Sequence, residues 1–109
     1  MMEAVAIFTV VERGKADHLV ERAKKAGATG ATILYGRGTA TAGELRHFLS
    51  IHVEPSKEVI IILTEKEKAE AIQRALIEAG ELDEPGTGIL FSIPVLNFIG
   101  LEHREELLE

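Results

Sequence analysis

Apolar residues follow two different rhythms along this chain, and the switches between them predict its elements. Over residues 2–11, Val5, Ile7, Phe8, Val10 and Val11 crowd together without helical spacing, which predicts a strand broken by Glu12-Arg13-Gly14-Lys15. Ala16, Leu19, Val20, Ala23 and Ala26 then form a stripe opposite Glu21, Arg22, Lys24 and Lys25, the mark of an amphipathic helix that Gly27 stops. Residues 31–35 predict a second strand running into Gly36-Arg37-Gly38, and residues 39–46, small and polar, predict a loop. Leu49, Ile51 and Val53 alternate with Ser50, His52 and Glu54 as a half-buried strand does, until Pro55-Ser56 interrupts. The unbroken apolar run 59–63 predicts a strand covered on both faces or nearly so. Thr64 and Glu67 have the spacing of a capping box, and Ala69, Ile72, Leu76 and Ala79 mark one face of a helix that Gly80 ends. An acidic turn over 81–88, a strand over 88–95 and a short extended piece over 96–101 complete the pattern.

The order is strand, helix, strand, taken twice, with Ala26-Gly27 and Ala79-Gly80 at matching places. It predicts an α+β fold of the ferredoxin-like split βαβ type (βαββαβ), two helices packed on one face of an antiparallel sheet. No helix remains for the opposite face, so Ile60 and Ile62, or else Ile61 and Leu63, must meet solvent or another copy of the chain. One domain over residues 1–101 and a charged tail over 102–109 are expected. The 109 residues include no cysteine, which excludes disulfide scaffolds, thiolate zinc sites and thiol nucleophiles. Twelve basic against eighteen acidic residues leave a net charge of −6, unfavourable for nucleic acid or anionic lipid. Apolar runs such as 59–63 are far too short to cross a bilayer and the start does not read as a signal peptide, so a cytoplasmic protein is expected.

Candidate chemistry gathers at two glycine-bearing turns. Tyr35-Gly36-Arg37-Gly38-Thr39 ends the second strand, and Pro85-Gly86-Thr87-Gly88 enters the fourth. Glycines let backbone N–H groups approach an anion, the threonines add hydroxyls, and Arg37 is a fixed cation. The plainer reading is two tight turns that need positive φ. Neither is a Walker or dinucleotide sequence, because no helix opens directly after the glycines. His47 and His52 fall on opposite faces of a regular strand, and Glu81, Asp83 and Glu84 read as a solvated acidic turn. His18 and His103 have no assigned role. No nucleophile-and-base spacing stands out, so no catalytic residue is assigned. RNA binding on the sheet is disfavoured, since the central strands carry Ile and Leu and aromatics are only 5% of the chain.

The segment Gly27-Ala28-Thr29-Gly30-Ala31-Thr32-Ile33-Leu34-Tyr35-Gly36-Arg37-Gly38-Thr39 resembles the second-strand region of PII-type signal proteins. So does the later order of a strand ending at Leu63, a helix, Gly80, and then Gly86-Thr87-Gly88 running through Phe91 to Val95. The likeness spans residues 3–101. It implies a non-enzymatic homotrimer whose sheets line a central barrel, with an adenine nucleotide as a reversible ligand between adjacent subunits and no tightly bound cofactor. By position, Gly36, Arg37, Gly38 and Thr39 would form the base of the effector loop (the T-loop), Gly86, Thr87 and Gly88 would cradle phosphate, and Thr32 and Leu63 would contact the base. Residues 39–52 would be the moving loop that docks on a target such as a membrane transporter or a metabolic enzyme. The chain departs from the family at Ile89, where a lysine is usual, and at Gly100 and Glu102, where arginines are usual. AMP, ADP, a cyclic nucleotide or another small anion is therefore expected ahead of ATP with magnesium and 2-oxoglutarate, with Arg37 and Arg46 as anchors. The loop has no tyrosine, so uridylylation there is unavailable, and nothing around Ser50 argues for its modification. Two other readings keep the fold: a CutA-like structural or metal-responsive trimer using His47 and His52, and an acylphosphatase-like hydrolase needing Arg13 beside Asn97.

Overall fold

The computed structural model describes residues 3–39 and 55–100. They form β1 (Ala4–Glu12), α1 (Ala16–Lys25), β2 (Thr32–Arg37), β3 (Ser56–Glu65), α2 (Lys66–Gly80) and β4 (Gly88–Val95). The strands lie in the order β2-β3-β1-β4 and every neighbouring pair is antiparallel, which is the ferredoxin-like arrangement expected from the sequence. The alternating stretch at Leu49, Ile51 and Val53 and the charged tail over 102–109 lie outside the described residues.

Strand alternation decides what each face carries. Val5, Ile7, Thr9 and Val11 of β1 pair in rows with Thr64, Ile62, Ile60 and Glu58 of β3. Against those rows pack Leu19 and Ala23 of α1 and Ile72 and Leu76 of α2, and Ile7, Ile60 and Ile62 are completely buried. Val59, Ile61 and Leu63 therefore point to the other face, where they are only half-buried. The expectation that 59–63 is covered on both sides is corrected: both helices lie on one side of the sheet. The bare face carries Leu34, Ile89, Phe91 and Ile93, each between 46% and 60% exposed. Phe8, on the central strand β1, stacks on Phe91 there with ring centroids 5.0 Å apart, so that face is not purely aliphatic as the sequence reading supposed.

Two predicted boundaries shift for tertiary reasons. Thr64 is not a helix cap; it is a buried strand residue opposite Val5, and Glu65 occupies the cap position with no side-chain hydrogen bond. The first helical N–H of α2, on Lys66, donates instead to the Glu3 carbonyl at 3.0 Å, which removes the need for a capping box. At the other end Gly80 is still helical and Glu81 takes the left-handed conformation (φ 51). A Cβ on Gly80 would lie 3.1 Å from the Leu82 side chain and 3.2 Å from that of Leu19, so this glycine serves both the following turn and the α1–α2 contact.

One carboxylate joins β3 to the start of α1 and the turn before it. Glu58 is 93% buried, and its Oε1 accepts hydrogen bonds from the backbone N–H of Gly14 at 2.7 Å and of Ala16 at 3.0 Å. Lys15, the residue at the N-cap of α1, supplies no side-chain cap, so an acid from β3 does that work across the core. Removing it leaves two N–H groups without their acceptor, and Glu58→Ala is expected to cost about 3 kcal/mol, read as a lower urea midpoint at unchanged slope. Thr9 is the opposite case: its Oγ1 is fully buried and has no hydrogen-bond partner among the described residues. Thr9→Val keeps the shape and removes the orphan, so it is expected to raise stability by about 1 kcal/mol in the same measurement.

Candidate functional site

The edge strand β2 follows Thr29-Gly30-Ala31, and its start faces the far end of β3. There Thr29, Gly30, Ala31, Thr32, Ile61 and Leu63 form one wall of an open cavity of about 400 Å³, and Ile99 and Gly100, beyond the end of β4, form the other. Thr32 pairs with Ile61, and both point to the bare face beside Leu63. The structure thus brings together two of the expected ligand contacts, Thr32 and Leu63, where the Ile61 and Leu63 side chains meet the Thr29–Thr32 segment. A lining that is more polar than apolar suits a group that combines an apolar face with several hydrogen-bonding edges. The Ile99-Gly100 wall was not legible in the sequence, because only the return of the chain after β4 places it there.

At the other end of β2 lie Gly36, Arg37, Gly38 and Thr39. The tight-turn reading fails for this segment: neither glycine has positive φ, and Gly36 is a regular strand residue opposite Lys57. A Cβ on Gly36 would meet nothing within 4 Å, so the backbone there is open to a ligand approaching the bare face. The Gly38 N–H donates to the Pro55 carbonyl at 2.7 Å. Arg37 and Thr39 are exposed. By alternation along β2, Arg37 projects on the helix-bearing side, away from Thr32 and Gly36.

The third segment enters β4. Gly86 has φ +79 with open space around its Cα, whereas Gly88 (φ +150) approaches the Val10 carbonyl so closely that no side chain fits. The Thr87 hydroxyl is turned inward, with the carbonyls of Glu81 at 2.8 Å and Glu84 at 2.9 Å as its acceptors. It ties the acidic turn together, which leaves the Gly86 backbone as the open part of this cradle. Ile89 is 60% exposed on the bare face, an apolar surface immediately after the cradle.

These groups do not all converge within one protomer. β2 and β4 are opposite edges of the sheet. Gly36–Thr39 and Gly86–Gly88 stand at the same end of it, separated by three strand spacings, about 14 Å. Arg13 and Asn97 lie past opposite ends of a nine-residue β1, roughly 30 Å apart, which removes the geometry an acylphosphatase-like site would need. The Arg13 guanidinium lies instead 5.4 Å from the Tyr35 ring centroid. Among the described residues no three His, Asp or Glu side chains are grouped to hold a metal. Arg46, His47, Ser50, His52, Glu102 and His103 lie outside the described residues.

A family model described as nitrogen regulatory protein P-II matches residues 4–105. Among solved structures, Arabidopsis thaliana PII bound to citrate superposes with a TM-score of 0.68 at 20% identity, over 93% of this chain and 85% of that one. B. subtilis GlnK in complex with ATP gives 0.65 at 18% identity, over 92% and 88%. At these identities the structural likeness speaks for the fold alone. No curated protein matches significantly. The family match takes in both helices, all four strands and both glycine segments, and by it the chain belongs to the nitrogen regulatory protein P-II family.

Proposed function

We propose that this signalling protein is a non-enzymatic homotrimer that holds an adenine nucleotide between adjacent copies and thereby resets residues 39–52 for a partner protein. The observation that carries the reading is the division of the candidate site between opposite sheet edges. Gly36–Thr39 on β2 and Gly86–Gly88 on β4 stand at one height, yet about 14 Å apart in a single copy. Copies ranged edge to edge in a closed ring bring the β2 edge of one against the β4 edge of the next, and the apolar bare faces then line the middle.

Within that cleft Thr32 and Leu63 hold the base, Gly36, Gly38, Thr39, Gly86, Thr87 and Gly88 surround the phosphate end, and Arg37 reaches round the sheet edge to it from the helix-bearing side. The surroundings favour few phosphates. Ile89 offers no charge beside the cradle, and the Thr87 hydroxyl is already engaged. AMP, ADP or a cyclic nucleotide therefore fits better than ATP. GlnK of B. subtilis is a relative in complex with ATP, and Arabidopsis PII one bound to citrate, so nucleotide and small-anion ligands both occur on this fold. Regulation is a population shift: ligand favours one arrangement of the loop and so changes affinity for a transporter or metabolic enzyme in the cytoplasm. Among the described residues no helix is long and apolar enough to cross a membrane.

A thermal-shift series against AMP, ADP, ATP and cyclic AMP, run on material of known oligomeric state, tests this directly. Ligand at 100 times its dissociation constant stabilises by about 2.7 kcal/mol, a shift of several degrees or more. The midpoint is expected to rise most with a nucleotide of one or two phosphates, and Thr32→Val or Arg37→Ala to abolish the rise. A trimer with no response to any of the four would refute the nucleotide reading.

A further inference from the structure

The acidic turn gains a role from its surroundings. α2 ends with its carbonyl groups, the negative pole of the helix, directed at a corner that carries Glu78, Glu81, Asp83 and Glu84, all exposed. The last turn of the helix has no basic residue. None of these four carboxylates takes part in the ion pairs among described residues, which involve Glu3, Glu12, Glu21 and Glu70. Like charges at the negative end of a helix destabilise an isolated protomer. The arrangement therefore calls for cations from elsewhere.

The opposite edge supplies them. Arg37 is exposed and has no ion pair among the described residues. Arg13 rests on the ring of Tyr35, itself 72% exposed, and this contact orients the guanidinium without using its N–H donors. Tyr35, Glu58, Val11 and Gly88 stand in one row across the sheet, so the cationic edge and the acidic corner share a height. Both also lie on the helix-bearing side. Within a protomer they are held apart by the width of the sheet; between neighbours in a ring they face each other.

We propose that the carboxylates of Glu81, Asp83 and Glu84 of each copy pair across the subunit boundary with Arg37 and Arg13 of the next. The protein's own acids then hold the cationic edge while the cleft is empty, and an anionic ligand has to displace them. This rests on the ring proposed above, and it gives a reason in this chain for discriminating against heavily phosphorylated ligands: each added charge meets the displaced carboxylates as well as the arginines.

Sedimentation velocity over a protein dilution series tests the pairing. The concentration at which the wild-type oligomer half-dissociates is expected to rise roughly tenfold or more between about 0.05 and 0.5 M NaCl, as screening weakens the pairs. Arg37→Glu is expected to loosen the ring to a similar extent at low salt. Adding Glu81→Lys and Glu84→Lys to the same chain again sets opposite charges across the Arg37→Glu contact at every interface and is expected to restore assembly. A ring indifferent to salt and to Arg37→Glu, or one that the reversed acids fail to rescue in a chain whose circular dichroism is native, overturns the pairing while leaving the trimer standing. The wild-type salt series needs no variant, so misfolding of the charge-swapped chain does not protect the proposal. A protein that stays monomeric at every concentration overturns the ring and the pairing together.

Discussion

Two helices can cover only one face of a four-stranded sheet, and most of what is distinctive here follows from that shortage. Along β3 the alternation sends Ile60 and Ile62 into the helix-covered core and leaves Ile61 and Leu63 outside it. The outer face is nonetheless as apolar as the inner one in sequence, with Phe8 stacked on Phe91 near its centre. A monomer with such a surface is an incomplete folding unit in the thermodynamic sense, since its second layer of apolar contacts is missing. In the ring proposed above, association supplies the missing layer, and the sheet edges become the places where chemistry can be shared between copies.

The same constraint explains how polar groups are used on the covered side. Glu58 and Thr9 both project into the helix-facing layer, with opposite outcomes. Glu58 meets two backbone donors at the start of α1 and so fixes the angle between helix and sheet. Thr9 meets none among the described residues. A buried acid with two good donors is a specifying contact, whereas a buried hydroxyl without one is a cost carried by the surrounding aliphatic packing.

The order of elements was legible because each announces its period locally, as with the 3.6-residue stripe of Ala16, Leu19 and Ala23. What misled were signals that tertiary contacts overrule. Thr64 and Glu67 look like a capping box, yet the Glu3 carbonyl reaches the end of α2 first and the strand runs on. Gly80 looks like a helix stop, yet it is still helical and is small so that Leu19 and Leu82 can approach. Gly36 and Gly38 look like a turn, yet Gly36 lies flat in an edge strand. The Glu58 cap spans 42 to 44 residues of sequence, and its only local trace is a single acid opening an apolar strand. Thr32 and Leu63 were named by likeness to a family rather than by spacing; their meeting in one cavity depends on the β2–β3 register, which no local pattern encodes.

The hydrogen bond from Gly38 to Pro55 has a consequence for how this scaffold can diverge. It pins the two roots of the intervening chain at the distance of a single backbone contact, and the Glu58 cap anchors the second root three residues later. The sheet is thus insulated from the length of whatever lies between. Closing a longer connection across fixed ends costs only about 0.6 kcal/mol per doubling of its length. Insertions and deletions there can be sampled almost freely, so new binding specificities can be tried at the roots of β2 and β3 without disturbing the layer that keeps the protein folded.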